Sequence, residues 1–145
     1  MSAQDLPEPG TVNMSLYFLD NEDQRLVPER RTVDFSGNII DQIKITIIEL
    51  IRGPLTSLVP TVPREVELRE VFLDEKGCAY LNFSRALSQN HPGGTTGEMI
   101  TVASIVKTLT STFPKEIHKV QILIDNRESK SIAGHIDISK PISPF

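Results

Sequence analysis

The order of two hydrophobic repeats along this chain limits its fold more than any other feature. Apolar residues alternate in several short segments, as in strands with one buried face, and recur at every third or fourth position in two longer segments, as in helices. The clearest strand is the segment 12–20, in which Val12, Met14, Leu16 and Phe18 share one face. The resulting order is strand, strand, helix, strand, strand, helix, strand, strand.

This order lacks the regular βαβ alternation that builds a parallel sheet. We therefore predict the α+β class: a single domain with a mostly antiparallel sheet of hairpins and two main helices packed on one face. With 145 residues, the chain is long enough to bury one apolar core of its own. We place a flexible linker at 1–11, the folded domain at 12–139 and a C-terminal tail at 140–145.

The second predicted strand, 25–35, contains a proline. Pro28 has no amide hydrogen to donate, so this segment should be an edge strand or a broken strand. We expect Arg30 and Arg31 to lie there in solvent.

The first helix is predicted over 36–54, although isoleucines also alternate there as in a strand. The segment is longer than most strands, Ser36 can act as the N-cap, and Gly53 followed by Pro54 is a strong stop signal. The second helix is amphipathic. Its apolar residues are Met99, Val102, Val106, Leu109 and Phe113, and its polar face holds Thr101, Ser104, Lys107 or Thr108, and Ser111.

Two hairpins complete the predicted fold. The runs 65–74 and 78–83 flank a turn in which Gly77 can adopt a positive φ. A later strand, 118–125, turns at Asp125 and Asn126, which tolerate the backbone of a tight turn. The residues expected in the core are Ala79, Leu81, Phe83, Val120, Ile122 and Ile124.

The charge and the single cysteine argue against several classes of function. A net charge of −4 gives no basic face for nucleic-acid phosphates, so nucleic acid is not an expected partner. Cys78 has no second thiol for a disulfide or a zinc site, and we expect it to be a small core residue. No apolar run approaches the length of about 20 residues that spans a bilayer. The composition of 1–11 is typical of a linker, including one that follows a membrane anchor.

The segment NHPGGTTGE resembles a phosphate-binding loop only in its glycines. A dinucleotide fingerprint would need a glycine at Pro92, and a phosphate loop of the G-x-x-x-x-G-K-[ST] kind would need a lysine that the segment lacks. Thr95 and Glu98 instead fit a capping box, in which each side chain accepts a hydrogen bond from the other residue's amide. Gly93 and Gly94 would allow a sharp approach to this helix with positive φ.

The surface left after capping is the candidate binding site. Its residues, as a candidate contact turn, are His91, Pro92, Gly93, Gly94, Thr95 and Thr96. An anion held by the amides at the start of the helix is an alternative use of the same segment. The three histidines lack the spacing of metal ligands, and we expect no metal, no cofactor and no catalytic residue.

Five blocks of sequence, in order along the chain, carry a further signal. They are LYFLDNEDQRLVPERRTV, ELIRGP, CAYLNFSRAL, NHPGGTTGEMITVASIVKTLT and VQILIDNRESKSIAGHIDIS. Together they extend over most of 12–139 and resemble the GerMN domain, the module of sporulation and spore germination proteins that also occurs in bacterial lipoproteins.

The resemblance implies an α+β fold like that of the small ring-building modules of secretion and sporulation complexes. It also implies a non-enzymatic role outside the cytoplasmic membrane, behind a lipid or transmembrane anchor. By position, it assigns Gly93 and Gly94 to a double-glycine turn, Glu98 to the acid that opens a helix, and Gly134 and His135 to a late pair.

We therefore expect an extracytoplasmic interaction or scaffold module of a membrane-anchored envelope protein. Its expected partner is another envelope protein or a cell-wall glycan. A hydrolase that acts on cell-wall polymer and a domain that binds a small anionic ligand are the alternatives. The cytoplasm is the alternative location.

Overall fold

The structure, a computed structural model, describes residues 10–145, which form two sheets and three helices. The strands are β1 Thr11–Asp20, β2 Arg25–Asp34, β3 Leu68–Leu73, β4 Cys78–Phe83, β5 Lys119–Ile124 and β6 Arg127–Glu128, and the helices are α1 Ile39–Arg52, α2 Ala86–Gln89 and α3 Thr95–Thr112. β1 and β2 form an antiparallel ribbon. The larger sheet has the order β3–β4–β5–β6, in which only β4 and β5 are parallel. The predicted α+β class is confirmed, with the strands divided between two sheets.

One apolar core joins both sheets and both long helices. The alternating residues of β1 face it, as predicted: Val12, Met14, Leu16 and Phe18 are at most 4% exposed. α1 contacts β1 and β3, α3 contacts β1 and β5, and the two helices contact each other. Each long helix therefore connects the ribbon to the larger sheet.

α1 begins two residues later than predicted. Asn38, rather than Ser36, is the N-cap, and its side-chain oxygen accepts the Asp41 amide at 2.9 Å. The helix ends at Gly53, where a φ of 96° favours glycine and the predicted stop is confirmed. The isoleucine stripe is buried along this helix, and this burial outweighs the modest helix propensity of isoleucine.

Both hairpins turn where the sequence predicts. Gly77 has a φ of 81° between β3 and β4, and Asp125 and Asn126 have φ of 54° and 66° between β5 and β6. Two successive residues with positive φ match the tight hairpin turn that suits the twist of the strands. The return strand β6 is only two residues long, so the chain beyond it forms a loop rather than an extended hairpin.

Residues at both predicted ends of the domain take part in strand pairing. The predicted linker 1–11 lies outside the described residues except for Gly10 and Thr11, and Thr11 already belongs to β1. In the predicted tail, Ile142 exchanges two backbone hydrogen bonds with Val120 of β5, at 2.8 and 2.9 Å. At this position the C-terminal segment is therefore part of the domain.

Arg31 of β2 is not in solvent, whereas its neighbour Arg30 is exposed as predicted. The Arg31 side chain is only 9% exposed and contacts two buried carboxylates, those of Glu29 and Glu49. Its guanidinium group also donates to the carbonyl of Gly53 at 3.1 Å. β2 is thereby tied to the C-terminal end of α1, and it runs unbroken through its proline.

α3 buries residues of both of its predicted faces, although Ser111 of the polar face is exposed as predicted. Three hydroxyl residues of the predicted polar face, Thr101, Ser104 and Thr108, are at most 2% exposed. Met99, on the predicted apolar face, is 44% exposed instead. The amphipathic pattern of this helix is therefore wrong, because its hydroxyl groups bond to the protein rather than to water.

The hydroxyl groups of Ser104, Thr108 and Thr112 bond to the edge of β1 that faces away from β2. The Thr101 hydroxyl bonds instead to the carbonyls of Thr61 and Gly97. The Thr108 hydroxyl accepts the Tyr17 amide at 3.0 Å, and the Thr112 hydroxyl accepts the Ser15 amide at 3.0 Å. Ser104 donates to the Tyr17 carbonyl at 2.7 Å. Four residues of a helix rise about 6 Å and two residues of a strand about 6.7 Å. Hydroxyl groups four residues apart on α3 therefore lie beside amides two residues apart on β1.

Replacing Thr108 with valine should lower the free energy of unfolding by about 1–3 kcal/mol. The two side chains have almost the same shape, but valine leaves the Tyr17 amide without its acceptor in a partly buried setting. Thr110→Val is the matched control, because the Thr110 hydroxyl bonds only to the Val106 carbonyl of its own helix. Chemical denaturation of both variants measures the difference, and equal stabilities would contradict this role of Thr108.

Candidate functional site

The predicted contact turn connects α2 to α3. α2 is a short helix that ends directly before the turn, and no pattern in the sequence predicted it. Gly93 and Gly94 have φ of 79° and 83°, which confirms the positive φ expected of this double glycine. Gly94 is the N-cap residue of α3.

The predicted capping box between Thr95 and Glu98 is wrong. Thr95 is the first helical residue rather than the cap, and the Glu98 amide donates to the Gly94 carbonyl at 3.0 Å. Glycine at the cap has no side chain to accept an amide. Gly97 rather than Glu98 then occupies the third helical position, where a capping box needs its acid, so the carboxylate of Glu98 bonds elsewhere.

The Glu98 carboxylate binds a loop that lies 35 to 38 residues later in the chain. Oε1 accepts the amides of Ala133 and His135 at 3.1 Å and the amide of Ile136 at 3.3 Å. Oε2 lies 2.6 Å from Nδ1 of the His135 ring. The Glu98 side chain is fully buried, while the ring of His135 is about half exposed, at 47%. Glu98 thus anchors the loop 131–136 to the start of α3.

Hydrogen bonding keeps Glu98 ionised despite its burial. Burial alone would raise its pKa, but the three loop amides and the ring of His135 stabilise the charged form and lower the pKa to about 2. At neutral pH the group is therefore a carboxylate with both oxygens occupied. Its arrangement suits a structural anchor, not a group that exchanges protons with a substrate.

His91 is fixed from the inside of the turn. Its Nδ1 accepts the Gly93 amide at 2.9 Å, and its Nε2 lies 2.7 Å from the Thr101 hydroxyl. Thr101 donates to the Thr61 carbonyl at 2.7 Å, so it accepts from His91, which places the ring proton on Nε2. Burial lowers the pKa of His91, more than the nearby charge of Glu98 raises it. A neutral ring therefore links the turn to α3 and to the loop that precedes β3.

The outer side of the turn faces solvent. Pro92, Gly94, Thr95 and Thr96 are exposed, while His91 and Gly93 are half-buried. An open cleft of about 410 Å³ lies beside the turn, and its lining residues include Leu19, Pro60, Pro63, His91, Pro92 and Ile100. The structure thus brings part of the predicted contact turn to a mostly apolar cleft.

Within residues 10–145, no three histidine, cysteine, aspartate or glutamate side chains are grouped so that they could hold a metal ion. None of the helices in this part of the chain is both long and apolar enough to cross a membrane. Cys78 is buried, as predicted, and burial raises the pKa of its thiol.

Comparison with known proteins identifies the family. The profile of the Germane family, described as sporulation and spore germination, matches residues 15–130. The protein belongs to the Germane family. No curated protein sequence matches this Germane domain significantly.

Solved structures share the fold of this Germane domain. A predicted lipoprotein from Clostridium perfringens is 29% identical, with a TM-score of 0.66 over 92% of this chain and 88% of that chain. The tandem GerMN domains of the sporulation protein GerM from Bacillus subtilis are 22% identical, with a TM-score of 0.70 over 99% of this chain and 49% of that chain. The first GerMN domain of GerM is 22% identical, with a TM-score of 0.69 over 91% and 97%. The GerMN type of domain predicted from the five blocks is confirmed.

The structure brings together residues of the Germane domain that the resemblance had assigned only by their positions in the sequence. Glu98 and His135 touch, and Gly134, with a φ of 105°, lies between two of the amides that bind Glu98. No local spacing in the sequence predicts this contact. The presence of the acid and of the late glycine and histidine among the matching blocks was the only signal for it.

Proposed function

We propose that this Germane domain is a non-enzymatic interaction module of a membrane-anchored envelope protein and works outside the cytoplasmic membrane. Its partner contacts the turn 91–96 and the cleft beside it. One observation carries this proposal: the turn is held rigidly from inside through His91, while Pro92 and Thr96 face solvent. A rigid surface binds with a smaller loss of conformational entropy than a mobile one.

The proposed location rests on the relatives. The description of the family is sporulation and spore germination, and one structural relative is a predicted lipoprotein. A lipoprotein is held at a membrane by its lipid, so a domain of this kind needs no membrane-crossing helix of its own. These similarities support an anchored, extracytoplasmic protein.

The proposed lack of catalysis rests on how the buried titratable groups are used. Both oxygens of Glu98 are occupied by the loop 131–136, and both ring nitrogens of His91 are occupied by the turn and by α3. A general acid or base must instead reach a substrate through a hydrogen bond. Neither group meets this requirement while its internal bonds are in place.

Site-specific crosslinking in the bacterium that makes the protein tests this proposal. A photoreactive benzophenone amino acid is placed in the full-length protein at Pro92 or Thr96, or at the exposed Glu116, beyond the opposite end of α3, as the matched control. We expect a discrete crosslinked product from the first two positions and not from the third. A product that is sensitive to muramidase identifies a glycan partner, and one that is insensitive identifies a protein partner.

Two results would contradict the proposal. Equal crosslinking from all three positions, or none from Pro92 and Thr96, would exclude the turn as the contact surface. Release of soluble fragments from purified peptidoglycan by the pure domain would show a hydrolase instead of an interaction module.

A further inference from the structure

Three arginines from different parts of the chain surround Asp125 at one corner of the larger sheet. Arg69 lies on β3, Arg85 follows β4 after one residue, and Arg127 lies on β6. Asp125 itself directly follows β5, so the corner is at the carboxyl ends of β4 and β5, which are parallel. In open sheets, ligands commonly bind at the carboxyl ends of parallel strands.

Asp125 holds the arginines in place. Its Oδ2 lies 2.8 Å from Nε of Arg85, and its Oδ1 lies 3.3 Å from Nη1 of Arg69. The hydrogen bond and charge of Arg85, together with the charges of Arg69 and Arg127, lower the pKa of Asp125. A single carboxylate therefore forms ion pairs with two guanidinium groups, and the charge of a third acts on it.

The backbone of this corner is fixed. Arg69 lies where the register between β3 and β4 shifts, as at a β-bulge, which turns a side chain away from its regular direction. The buried side chain of Asn82 accepts the Asn126 amide at 2.8 Å and donates to the Asn126 side-chain oxygen. These two bonds hold the turn that carries Asp125.

The arginines retain most of their hydrogen-bond donors. A guanidinium group has five N–H donors, and Arg69 and Arg85 each direct one nitrogen to Asp125. The two side chains are 46% and 69% exposed, so the remaining donors can reach a ligand. The ion pairs set two guanidinium charges against one carboxylate, and the charge of Arg127 also acts on Asp125. Among the described residues, no other carboxylate forms an ion pair with these arginines.

We propose that this corner binds the phosphate group of a phosphate monoester. Such a group carries about −1.5 to −2 charges at neutral pH, which the guanidinium groups of this corner attract. Its oxygens accept paired hydrogen bonds from guanidinium groups, a geometry that a lysine could not provide. The same chemistry occurs in a soluble phosphate ester and in the headgroup of a monoester phospholipid. This site is separate from the turn 91–96, and it does not depend on the function proposed for that turn.

Titration followed by nuclear magnetic resonance tests this site. The chain, labelled with ¹⁵N, is titrated with inorganic phosphate and with glycerol 3-phosphate at pH 7.5, at constant ionic strength set with sodium chloride. We expect saturable shifts of the Asp125 and Asn126 amides and of the Arg85 Nε–H group. Shifts that do not saturate, or that acetate reproduces at the same concentration, would overturn the proposal.

Two single substitutions separate the site from a general charge effect. Arg127→Gln should weaken phosphate binding about tenfold, the loss expected for a charge-assisted hydrogen bond, without removing either ion pair to Asp125. Arg30→Gln removes the same charge from an exposed arginine of β2 and should leave the affinity unchanged. The proposal would be overturned if neither variant changed the affinity for phosphate, or if both weakened it equally.

Vesicles distinguish the two sources of phosphate. Sedimentation with vesicles that contain phosphatidic acid, but not with pure phosphatidylcholine, together with loss of binding in Arg127→Gln, would assign the phosphate to a lipid. Binding of glycerol 3-phosphate without sedimentation would assign it to a soluble ligand. Binding of neither would overturn the proposal.

Discussion

Replacing Glu98 with alanine is expected to lower the free energy of unfolding by about 3 kcal/mol. The variant removes the acceptor of three loop amides and of the His135 ring, and it leaves a cavity where a fully buried side chain was. Hydrogen bonds to a charged group contribute more than neutral ones, and this substitution removes several of them at once. Chemical denaturation measures the total effect, and amide exchange should show that the loop 131–136 opens first.

Two variants control for this result. Glu75→Ala removes an exposed glutamate from the turn between β3 and β4 and should change the stability by less than about 0.5 kcal/mol. Glu98→Gln keeps an acceptor of similar shape without the charge, so its effect should lie between the other two. If Glu98→Ala is as stable as Glu75→Ala, the anchoring role of this carboxylate is wrong.

The contribution of Glu98 should also depend on pH. Its pKa in the folded protein, about 2, lies below the ordinary value of 4.5, so the charged group stabilises the fold fully above pH 4.5. The contribution declines as the pH falls from 4.5 towards 2, because in this range Glu98 binds a proton in the unfolded state while it is still ionised in the folded state. The stability difference between the wild type and Glu98→Gln should therefore shrink as the pH falls from 4.5 towards 2.

Replacing Arg31 with methionine is expected to cost about 3–5 kcal/mol. Methionine fills much of the same space, but it leaves the buried carboxylates of Glu29 and Glu49 without their shared guanidinium group. It also removes the cation that binds carbonyls at the C-terminal end of α1, those of Glu49 and Gly53. Thermal and chemical denaturation should both show the loss.

Arg30→Met is the matched control, because it changes the adjacent, exposed arginine of the same strand and should be nearly neutral. A second control combines Arg31→Met with Glu29→Gln and Glu49→Gln. Removing all three charges together should recover most of the stability, since the cost comes mainly from the buried charge of Glu29, whereas Glu49 keeps an ion pair with Arg52. If the triple variant is no more stable than Arg31→Met alone, lost packing rather than charge explains the effect.

The two arginines show what the sequence could and could not predict about the fold. Alternation identified β1 because one face of that strand lies wholly in the core, and the turn residues at Gly77, Asp125 and Asn126 act locally. Arg30 and Arg31 have the same chemistry, and their different surroundings depend on Glu49, which is distant in sequence. The parallel pairing of β4 with β5 likewise depends on where α3 returns the chain.

The hydroxyl groups of α3 misled the prediction for a related reason. Serine and threonine on one side of a helix usually indicate a solvent-facing side, because they need hydrogen-bond partners. Here the partners are backbone groups of β1, about 90 residues earlier in the chain. No periodicity within the helix contains that information.

The site was predicted in part. The positive φ of Gly93 and Gly94 follows from glycine itself, and the structure confirms it. The capping box was the nearest local use for Glu98, but its partners lie in a loop that only the folded chain brings close. The contact role of the turn stays a prediction that the crosslinking experiment addresses.

The hydroxyl groups along α3 also bear on aggregation. An unpaired strand edge can recruit a strand from another chain, and many proteins protect such edges with charges, prolines or bulges. In β1 the outward amides of Ser15 and Tyr17 are bonded to α3, and Leu19 exchanges two hydrogen bonds with Val59. A second molecule could add to this edge only after α3 had moved away from the strand. Substitutions such as Thr108→Val should therefore make the protein more prone to self-association as well as less stable.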